Sequence, residues 1–185
     1  MIYFTRHGRT DWNIARKIQG ARDIPLNTEG RAQALSLQAQ IPTLGLTKII
    51  TSDLKRAQET AEILNEKTAL PLVDDNRIRE FQLGTLEGQP VACLTEEVWR
   101  TLFENADKFS AESLLQVYER VRSFLDSLNP AENILVVTHA GILKMVAYCK
   151  VHPDKFDFDV FAKRYLNLWL KNAMLYRWDA DWEQE

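Results

Sequence analysis

Apolar residues along this chain occur either in short continuous runs or in longer stretches at helical spacing. Continuous runs bounded by polar or turn-forming residues predict β-strands at residues 2–5, 48–51, 70–73 and 134–138. The run at 134–138 is apolar on both faces, which is typical of a central strand in a parallel sheet. A final strand is predicted within residues 173–178.

The first long helix is predicted to begin at Thr28, with Thr28 as its N-cap and Glu29 in the first turn, where a carboxylate interacts favourably with the helix dipole. Pro42 is expected to stop this helix. Its apolar face is predicted from three residues at helical spacing, Ala32, Leu35 and Ala39.

Four further helices follow from the same spacing. The next helix is expected to be capped by Ser52 or Asp53, and its apolar positions recur at helical intervals. A weaker helix is predicted at 94–105, and stronger ones at 112–128 and from 140 to about 148. Residues 74–92 are predicted to form a loop. The second helix carries a seam of Leu54, Ala57, Ala61 and Leu64.

Strands that alternate with helices predict a three-layer α/β/α fold with a mostly parallel central sheet. The length of 185 residues suits one domain over 1–185, with a short helical insertion at about 89–113. Sheets of this kind bind ligands in the crevice outside the carboxyl ends of their strands. Residues that follow the strands are therefore the first candidates for a site.

Composition excludes several classes of function. Hydrophobic residues make up 45% and charged residues 26%, and the net charge of −3 gives no basic footprint for nucleic acid. We expect no membrane association and no signal peptide, since no apolar segment is long enough and no basic region precedes one. Cys93 and Cys149 lack ligand spacing and are predicted to be free thiols. A cytoplasmic protein is expected.

Arg6, His7 and Gly8 stand where the first strand ends. A permanent charge beside a titratable ring is unfavourable in a core, so this pair indicates chemistry. Gly8 is expected to allow close approach to a ligand or a positive φ. An imidazole nucleophile beside a guanidinium fits phosphate best, because the planar fork of donors matches its oxygens.

Three more polar residues follow later strands. Arg56 lies in the first turn after the second strand, Glu80 in the loop after the third, and His139 directly after the strand at 134–138. Together with His7 they are predicted to meet at one edge of the sheet. Alone, Arg56 and Glu80 are more often solvated surface residues, and His139 is evenly balanced between a core histidine and a site residue.

With these positions in view, the sequence resembles the histidine phosphatase superfamily, whose fold is phosphoglycerate mutase-like. The resemblance covers nearly the whole chain. It rests on five ordered blocks: Arg6-His7-Gly8 with Thr10, Trp12 and Asn13; Gln19-Gly20 with Asp23, Pro25, Leu26 and Gly30; residues 51–61; Arg79-Glu80 with Gly84 and Leu86-Glu87-Gly88; and residues 136–141.

The resemblance implies that His7 is the nucleophile that becomes phosphohistidine. It implies that Glu80 is the proton donor, protonated while substrate is bound. Two guanidiniums and a protonatable imidazole would hold the phosphate without a metal or cofactor. These phosphate-binding residues would be Arg6, Arg56 and His139, and substrate would also contact Asn13, Gln19, Gly20 and Ala140.

The sequence departs from the family pattern at three places. Arg9 follows the Arg-His-Gly triplet in place of Glu or Gln, and Ser110-Ala111-Glu112-Ser113 replaces a Gly-Gly-Glu-Ser stretch. Lys144 stands where the family commonly has Arg. No departure removes a catalytic group, but each bears on substrate identity.

Three functions compete. The first is hydrolysis of a small phosphorylated metabolite, such as α-ribazole phosphate, a sugar phosphate or phosphoglycerate. The second is a phosphoglycerate mutase, which would need extra basic groups over the site, whereas the insertion at about 89–113 is short and acidic. The third is an inactive phosphate-binding protein, for which an intact His7 and Glu80 would be unnecessary. The sequence favours the phosphatase.

Residues outside these blocks are predicted to be structural. His152 lies in a polar turn before Pro153, away from every block. Three tryptophans are predicted to lie in the core or on an association surface, which makes a homodimer possible. They are Trp169, Trp178 and Trp182.

Overall fold

A computed structural model describes residues 1–180 and 182. Within this part of the chain, five strands form one sheet in the order β3-β2-β4-β1-β5. The first four strands are parallel and β5 is antiparallel to β1, so the prediction of a mostly parallel sheet is confirmed. The strands are β1 (Ile2–Arg6), β2 (Lys48–Thr51), β3 (Leu72–Asp74), β4 (Ile134–Thr138) and β5 (Leu175–Arg177).

Seven α-helices and several short 3₁₀ turns connect these strands within the described residues. The helices are α1 (Asp11–Ile14), α2 (Thr28–Gln38), α3 (Lys55–Asn65), α4 (Glu96–Glu104), α5 (Leu114–Asp126), α6 (Ala140–Val151) and α7 (Phe158–Arg164). The five helices predicted from the chain pattern are therefore present as α2 to α6, and α1 and α7 are additional. No helix of the described part is long and apolar enough to cross a membrane.

The sheet is covered on both faces, which gives the three layers that the sequence predicts. In β4, Leu135 and Val137 pack with Ala61 of α3, whereas Ile134 and Val136 belong to the cluster that contains α5 and α6. All five residues of β4 are buried. Each fully buried aliphatic side chain contributes about 1.5–3 kcal/mol relative to exposure, so β4 is the centre of the fold.

The apolar face predicted for α2 is wrong. Ala32, Leu35 and Ala39 are exposed, and the residues that face the core are Gly30, Ala34, Leu37 and Gln38. The N-cap is Asn27 rather than Thr28, since Asn27 Oδ1 accepts a hydrogen bond of 2.8 Å from Gly30 N.

Several predicted boundaries move by a few residues. The N-cap position of α3 is Leu54, and Ser52 Oγ accepts from Leu54 N at 3.3 Å without capping the helix itself. Helix α5 begins at Leu114 after a capping box between Ser113 and Gln116. β3 lies two residues later than predicted, and β5 covers only the middle of 173–178.

The insertion predicted at about 89–113 contains a 3₁₀ turn at Val91–Cys93, helix α4 and a second turn at Ala106–Phe109. Its apolar face packs against α5 and α7. Cys93 is exposed and Cys149 is buried, and both are free thiols as predicted.

The aromatic residues near the end of the chain differ in placement. Trp178 and Trp182 pack against Phe4, with ring centroids 5.8 and 5.5 Å away. Trp169 is 78% exposed. His152 is half-buried, and its ring centroid lies 4.8 Å from that of Tyr148, in keeping with the predicted structural role. Residues 181 and 183–185, which end the predicted domain, lie outside the described residues.

The carboxyl ends of β1, β4 and β2 meet at one edge. His7 N donates to Thr138 O at 2.9 Å, and Ser52 N donates to Val137 O at 3.0 Å. These two bonds extend the parallel pairing one residue past each strand. They bring the residues that follow three different strands into contact.

Candidate active site

His7 is held in the form that a nucleophile requires. Its side chain is buried, and Nδ1 lies 2.6 Å from the carbonyl oxygen of Gly8. A carbonyl can only accept, so Nδ1 carries the proton and Nε2 keeps its lone pair. Burial, followed by the charges of Arg56 and Arg6, lowers the pKa of His7 well below 6.5, so the ring is neutral at neutral pH.

Gly8 is required by the packing of the chain on itself. Its φ is not positive, in contrast to the alternative raised from the sequence, and the group it approaches is protein backbone. A Cβ on Gly8 would lie 2.3 Å from Gly30 O, and a Cβ on Gly30 would lie 2.0 Å from Arg9 O. The two glycines let α2 pack closely against the loop that carries His7.

Arg56 is fully buried in the first turn of α3. Its Nη1 and Nη2 donate to the carbonyl oxygens of Arg22 and Gly20 at 2.7 and 2.8 Å. Burial lowers the pKa of Arg56 to about 10, which still leaves the guanidinium charged at neutral pH. Arg56 therefore carries positive charge into the site and also fixes the loop at residues 20–22.

His139 lies beside His7, and the two ring centroids are 5.2 Å apart. Its Nδ1 accepts from Arg56 Nε at 3.2 Å, and its Nε2 lies 2.8 Å from Ser52 Oγ, so both ring nitrogens are occupied. Burial and the charge of Arg56 lower the pKa of His139 well below 6.5. The ring is therefore neutral in the free protein, and its Nδ1 orients the Arg56 guanidinium.

Glu80 points its carboxylate at the start of α6. Its two oxygens accept from Phe81 N and Gly141 N, each at 3.1 Å. A Cβ on Gly141 would lie 2.4 Å from Glu80 Oε1, so only glycine allows this contact. The backbone at Glu80 is held from behind by Arg120, whose Nη2 donates to Glu80 O at 3.4 Å.

Arg6 ends β1 beside His7. Its Nη1 donates to Leu170 O at 2.9 Å, and within the described residues its buried Nε has no hydrogen-bond partner. Burial lowers the pKa of Arg6 from its usual value. Arg6 therefore keeps a buried guanidinium donor that no group of the described residues satisfies.

Asn13 and Gln19 have their side-chain oxygens engaged by Thr10. The Thr10 hydroxyl donates to Gln19 Oε1 at 2.9 Å, and Thr10 N donates to Asn13 Oδ1 at 3.1 Å. The amide N–H groups of both residues are therefore the ones left for a ligand.

Eight of the nine predicted site residues line one cavity of about 220 Å³, which we call the inner cavity. The exception is His139. The inner cavity combines a neutral imidazole, a carboxylate and buried guanidiniums at the edge where parallel α/β sheets bind ligands. The eight residues are Arg6, His7, Asn13, Gln19, Gly20, Arg56, Glu80 and Ala140.

Lys144 also lines the inner cavity and was not among the predicted site residues. Its Nζ donates to the carbonyl oxygen of Leu166. Burial, together with the charge of Arg6, lowers its pKa, and Glu80 opposes that shift. The available signal was its position one helical turn after Ala140, on the same face of α6.

Glu87 is a second residue whose role the sequence did not reveal. Its Oε1 accepts from Ala21 N at 2.9 Å and from Leu83 N at 3.0 Å, and its Oε2 lies 3.2 Å from Arg22 Nε. A Cβ on Gly20, whose φ is +52°, would clash with this carboxylate. Glu87 therefore holds the loop whose carbonyl groups bind Arg56.

Metal chemistry has no evident ligand set here. Among the residues that the structure describes, no group of three or more histidine, cysteine, aspartate or glutamate side chains is arranged to hold a metal ion. The charges that line the inner cavity are those of Arg6, Lys17, Arg56, Lys144 and Glu80.

Comparison with known proteins was made at the level of family, sequence and structure. The family model described as histidine phosphatase superfamily (branch 1) matches residues 2–161. The chain is 39% identical over 151 residues to a protein named probable phosphoglycerate mutase GpmB from Yersinia enterocolitica, covering 77% of this chain and 70% of that one. The similarly named protein of Escherichia fergusonii is 39% identical over 147 residues, covering 75% and 68%.

Solved structures agree with this picture. A mycobacterial glucosyl-3-phosphoglycerate phosphatase in complex with VO3 superposes with a TM-score of 0.79 at 26% identity, covering 94% of this chain and 90% of that chain. Bacillus stearothermophilus YhfR superposes with a TM-score of 0.74 at 30% identity, covering 86% and 82%.

Proposed function

Because this chain belongs to the histidine phosphatase superfamily, we propose that it hydrolyses small phosphomonoesters through a phosphohistidine at His7. The observation that carries the proposal is the pairing, in one cavity, of a neutral His7 whose Nε2 is unprotonated with the carboxyl group of Glu80. A protein that only bound phosphate would need neither group. Splitting hydrolysis into two transfers replaces one difficult step by two easier ones.

In the first step, His7 Nε2 attacks phosphorus, and the bond from phosphorus to the ester oxygen breaks in line. Charge on the equatorial oxygens is held by Arg6, Arg56 and Lys144, which line the same cavity. Glu80, protonated while substrate is bound, gives its proton to the leaving oxygen. An alcohol departs and phosphohistidine remains.

In the second step, the Glu80 carboxylate accepts a proton from water, and the oxygen of that water attacks phosphorus. The P–N bond breaks, inorganic phosphate leaves, and His7 is neutral again. His139 acts in both steps as a positioning residue, because it accepts from Arg56 Nε and orients that guanidinium.

The insertion favours hydrolysis over mutase chemistry. Of its residues, Val91, Leu94 and Trp99 line the inner cavity, and all three are apolar. Its acidic groups lie elsewhere; Glu112, for example, pairs with Arg120 at 2.6 Å. A mutase must retain a phosphorylated intermediate while it turns in the site, and the residues that the insertion contributes to the inner cavity carry no charge to hold one.

A phosphoglycerate mutase is the second candidate, because the relatives quoted above carry that name. The test is incubation of the purified protein with 3-phosphoglycerate, followed by ³¹P NMR. Hydrolysis releases inorganic phosphate and glycerate, whereas a mutase gives 2-phosphoglycerate at constant total ester.

The assay should be repeated with two additions. Millimolar vanadate should inhibit, since it can take the trigonal geometry of the transferring phosphoryl group, and exhaustive chelation should leave activity unchanged. Conversion to 2-phosphoglycerate without phosphate release would contradict the hydrolase assignment. Absence of phosphate release from a broad panel of phosphomonoesters would do so as well.

A further inference from the structure

The inner cavity has two neighbours. One is a cavity of about 650 Å³ that opens to solvent and shares Arg6 with it, and we call this the outer cavity. Arg16, Trp169 and Lys171 also line the outer cavity. The other neighbour is a recess of about 320 Å³ that shares Glu80 with the inner cavity, and we call it the rear recess. Groups in the rear recess can therefore hold Glu80 without contacting a substrate in the inner cavity.

An ion pair between Arg120 and Glu112 lines the rear recess. Arg120 lies on α5, and its Nε and Nη2 donate to the two oxygens of Glu112 at 2.6 and 2.9 Å. The planar fork of the guanidinium matches the carboxylate, and the two side chains are only 18% and 19% exposed. Glu112 belongs to the stretch at 110–113 that departs from the family pattern, and the reaction proposed above gives it no role.

Arg120 directs further hydrogen bonds at the segment that carries Glu80. Its Nη1 donates to Arg77 O at 2.6 Å, and its Nη2 also reaches Glu80 O at 3.4 Å. The guanidinium therefore joins Glu112 to the backbone on either side of residues 78 and 79. Because a bidentate pair fixes the plane of the guanidinium, Glu112 fixes the direction of these donors.

Two more carbonyl groups of the same segment are held by other elements. Thr138 Oγ1, at the end of β4, donates to Ile78 O at 2.7 Å. Glu112 N donates to Gln82 O at 2.8 Å. The segment at 77–82 is therefore attached both to the central strand of the sheet and to the start of α5.

The carboxyl group of Glu80 depends on this backbone for its orientation. Its oxygens accept from Phe81 N and Gly141 N, and no side chain of the described residues donates to them. If the segment shifts, the carboxyl group shifts with it. A misplacement of about 1 Å in an active site can cost about 10²-fold in rate.

We infer that Arg120 and Glu112 are positioning residues that hold Glu80 where it can protonate the leaving oxygen. The inference rests on the proposed function, since Glu80 is the acid of that reaction. Neither Arg120 nor Glu112 lines the inner cavity, so their effect on the reaction passes through Glu80.

The first test measures the phosphorylation step by rapid quench in Arg120→Ala. An alkyl phosphate, which needs the proton, should lose about 10–100-fold, and p-nitrophenyl phosphate about threefold or less. In Glu80→Gln, adding Arg120→Ala should cost the alkyl phosphate no more than about a further twofold, because the acid that Arg120 positions is already absent. A purely structural defect would reduce both substrates alike and would persist in the double variant.

Arg122→Ala is the matched control. Arg122 lies on the same helix and pairs with Asp126 at 2.8 Å, but it lines neither the inner cavity nor the rear recess. Both substrates should stay within about twofold of wild type. Arg120→Lys keeps the charge without the planar fork, so it should show the substrate dependence of Arg120→Ala at smaller size. It replaces Arg120→Ala in every test if circular dichroism shows that the alanine variant does not fold.

The second test needs no turnover. Gly141 N lies in the first turn of α6, where amide groups lack helical partners, and it donates to Glu80. Its hydrogen exchange, resolved by ¹⁵N NMR, should be at least about tenfold faster in Arg120→Ala and unchanged in Arg122→Ala. The amide of Val136 in β4 reports on global opening and should be unaffected in both variants.

Unchanged exchange at Gly141 would overturn the inference, and so would a full further loss on adding Arg120→Ala to Glu80→Gln. A substrate dependence in Arg120→Ala unlike that of Glu80→Gln would also overturn it. If exchange at Gly141 responds as expected but the wild type releases no phosphate from any phosphomonoester, the hold of Arg120 on Glu80 stands and the proposed hydrolysis fails.

Discussion

The inner and outer cavities differ in how firmly their charged groups are held. At the inner end, Arg56 makes three hydrogen bonds, and both nitrogens of His139 are occupied. In the outer cavity, Lys171 and Arg16 are exposed. The inner groups are fixed before a ligand arrives, which is what stabilisation of a transition state requires.

This difference suggests a division of roles. Groups held by many partners lose little entropy when charge develops on the phosphoryl group, so they suit the chemical steps. Exposed cations on flexible side chains contribute moderate, salt-dependent attraction, so they suit the selection of substrate. Substitutions in the two cavities should therefore affect different kinetic constants.

The largest effect is expected for His7→Ala. Loss of the nucleophile should reduce kcat for any phosphomonoester by about 10⁴-fold or more. The fold should survive, since His7 follows β1 at the sheet's edge and its backbone carbonyl keeps the bond from Asn172 Nδ2. Phosphate release and far-UV circular dichroism would be measured together.

His152→Gln serves as its control, because His152 lines neither cavity, and activity should stay within about twofold. Residual activity of a folded His7→Ala protein within about tenfold of wild type would remove His7 as the nucleophile. The proposed assignment of the chemical steps to the inner cavity would then be wrong.

A smaller loss, dependent on the substrate, is expected for Glu80→Gln. An alkyl phosphate, whose leaving group needs a proton, should lose about 10²–10⁴-fold in the phosphorylation step. An activated ester such as p-nitrophenyl phosphate should lose much less in that step. Breakdown of phosphohistidine could then limit turnover, so the burst phase must be recorded as well as the steady rate.

Glu62→Gln is the matched carboxyl-to-amide control, since Glu62 is exposed on α3 away from both cavities. It should leave both substrates unaffected. Equal losses for alkyl and aryl substrates in Glu80→Gln would mean that Glu80 positions the ligand instead of donating a proton.

The third expected effect is on stability. The pKa values of His7 and His139 are well below 6.5 in the folded chain, so the unfolded chain takes up protons first as the pH falls. Stability is therefore full above about pH 6.5 and decreases below it. At pH 5.5 each histidine should cost about 1.4 kcal/mol, or ~3 kcal/mol for the pair.

Urea unfolding at pH 7.5 and 5.5, in buffers without phosphate, measures this loss. In His7→Gln the difference between the two pH values should shrink by about 1.4 kcal/mol, because one of the two buried rings is gone. A difference that does not change in the variant would show that His7 is already protonated in the folded protein. The inner cavity would then be less firmly organised than its hydrogen bonds indicate.

The fold could be predicted from the sequence because buried parallel strands leave a clear pattern. The run at 134–138 is apolar on both faces, and the structure places it at the centre of the sheet. The face of α2 could not be predicted in this way. Its rotation is fixed by the contact of Gly30 with Gly8 and Arg9, and a glycine adds nothing to an apolar pattern.

The sequence predicted which residues lie together in the candidate site. Strand ends, combined with family motifs, brought eight of nine predicted residues to the inner cavity. The protonation state of His139 was not predictable, since its lowered pKa depends on burial and on the charge of Arg56, which approaches the ring from another part of the chain. Lys144 was identified from the sequence only as a departure from the family pattern, and no role in the site was assigned to it.

The segment between α7 and β5 alternates between anchored and outward-facing residues. Leu170 O accepts from Arg6, and the Asn172 side chain donates to His7 O, so these positions tie the segment to the edge of the sheet that carries His7. Trp169 and Lys171, beside them, are exposed and line the outer cavity. In directed evolution, a library confined to positions 169 and 171 should change substrate range with little loss of foldable clones. A library of the same size at positions 170 and 172 should mostly yield inactive protein.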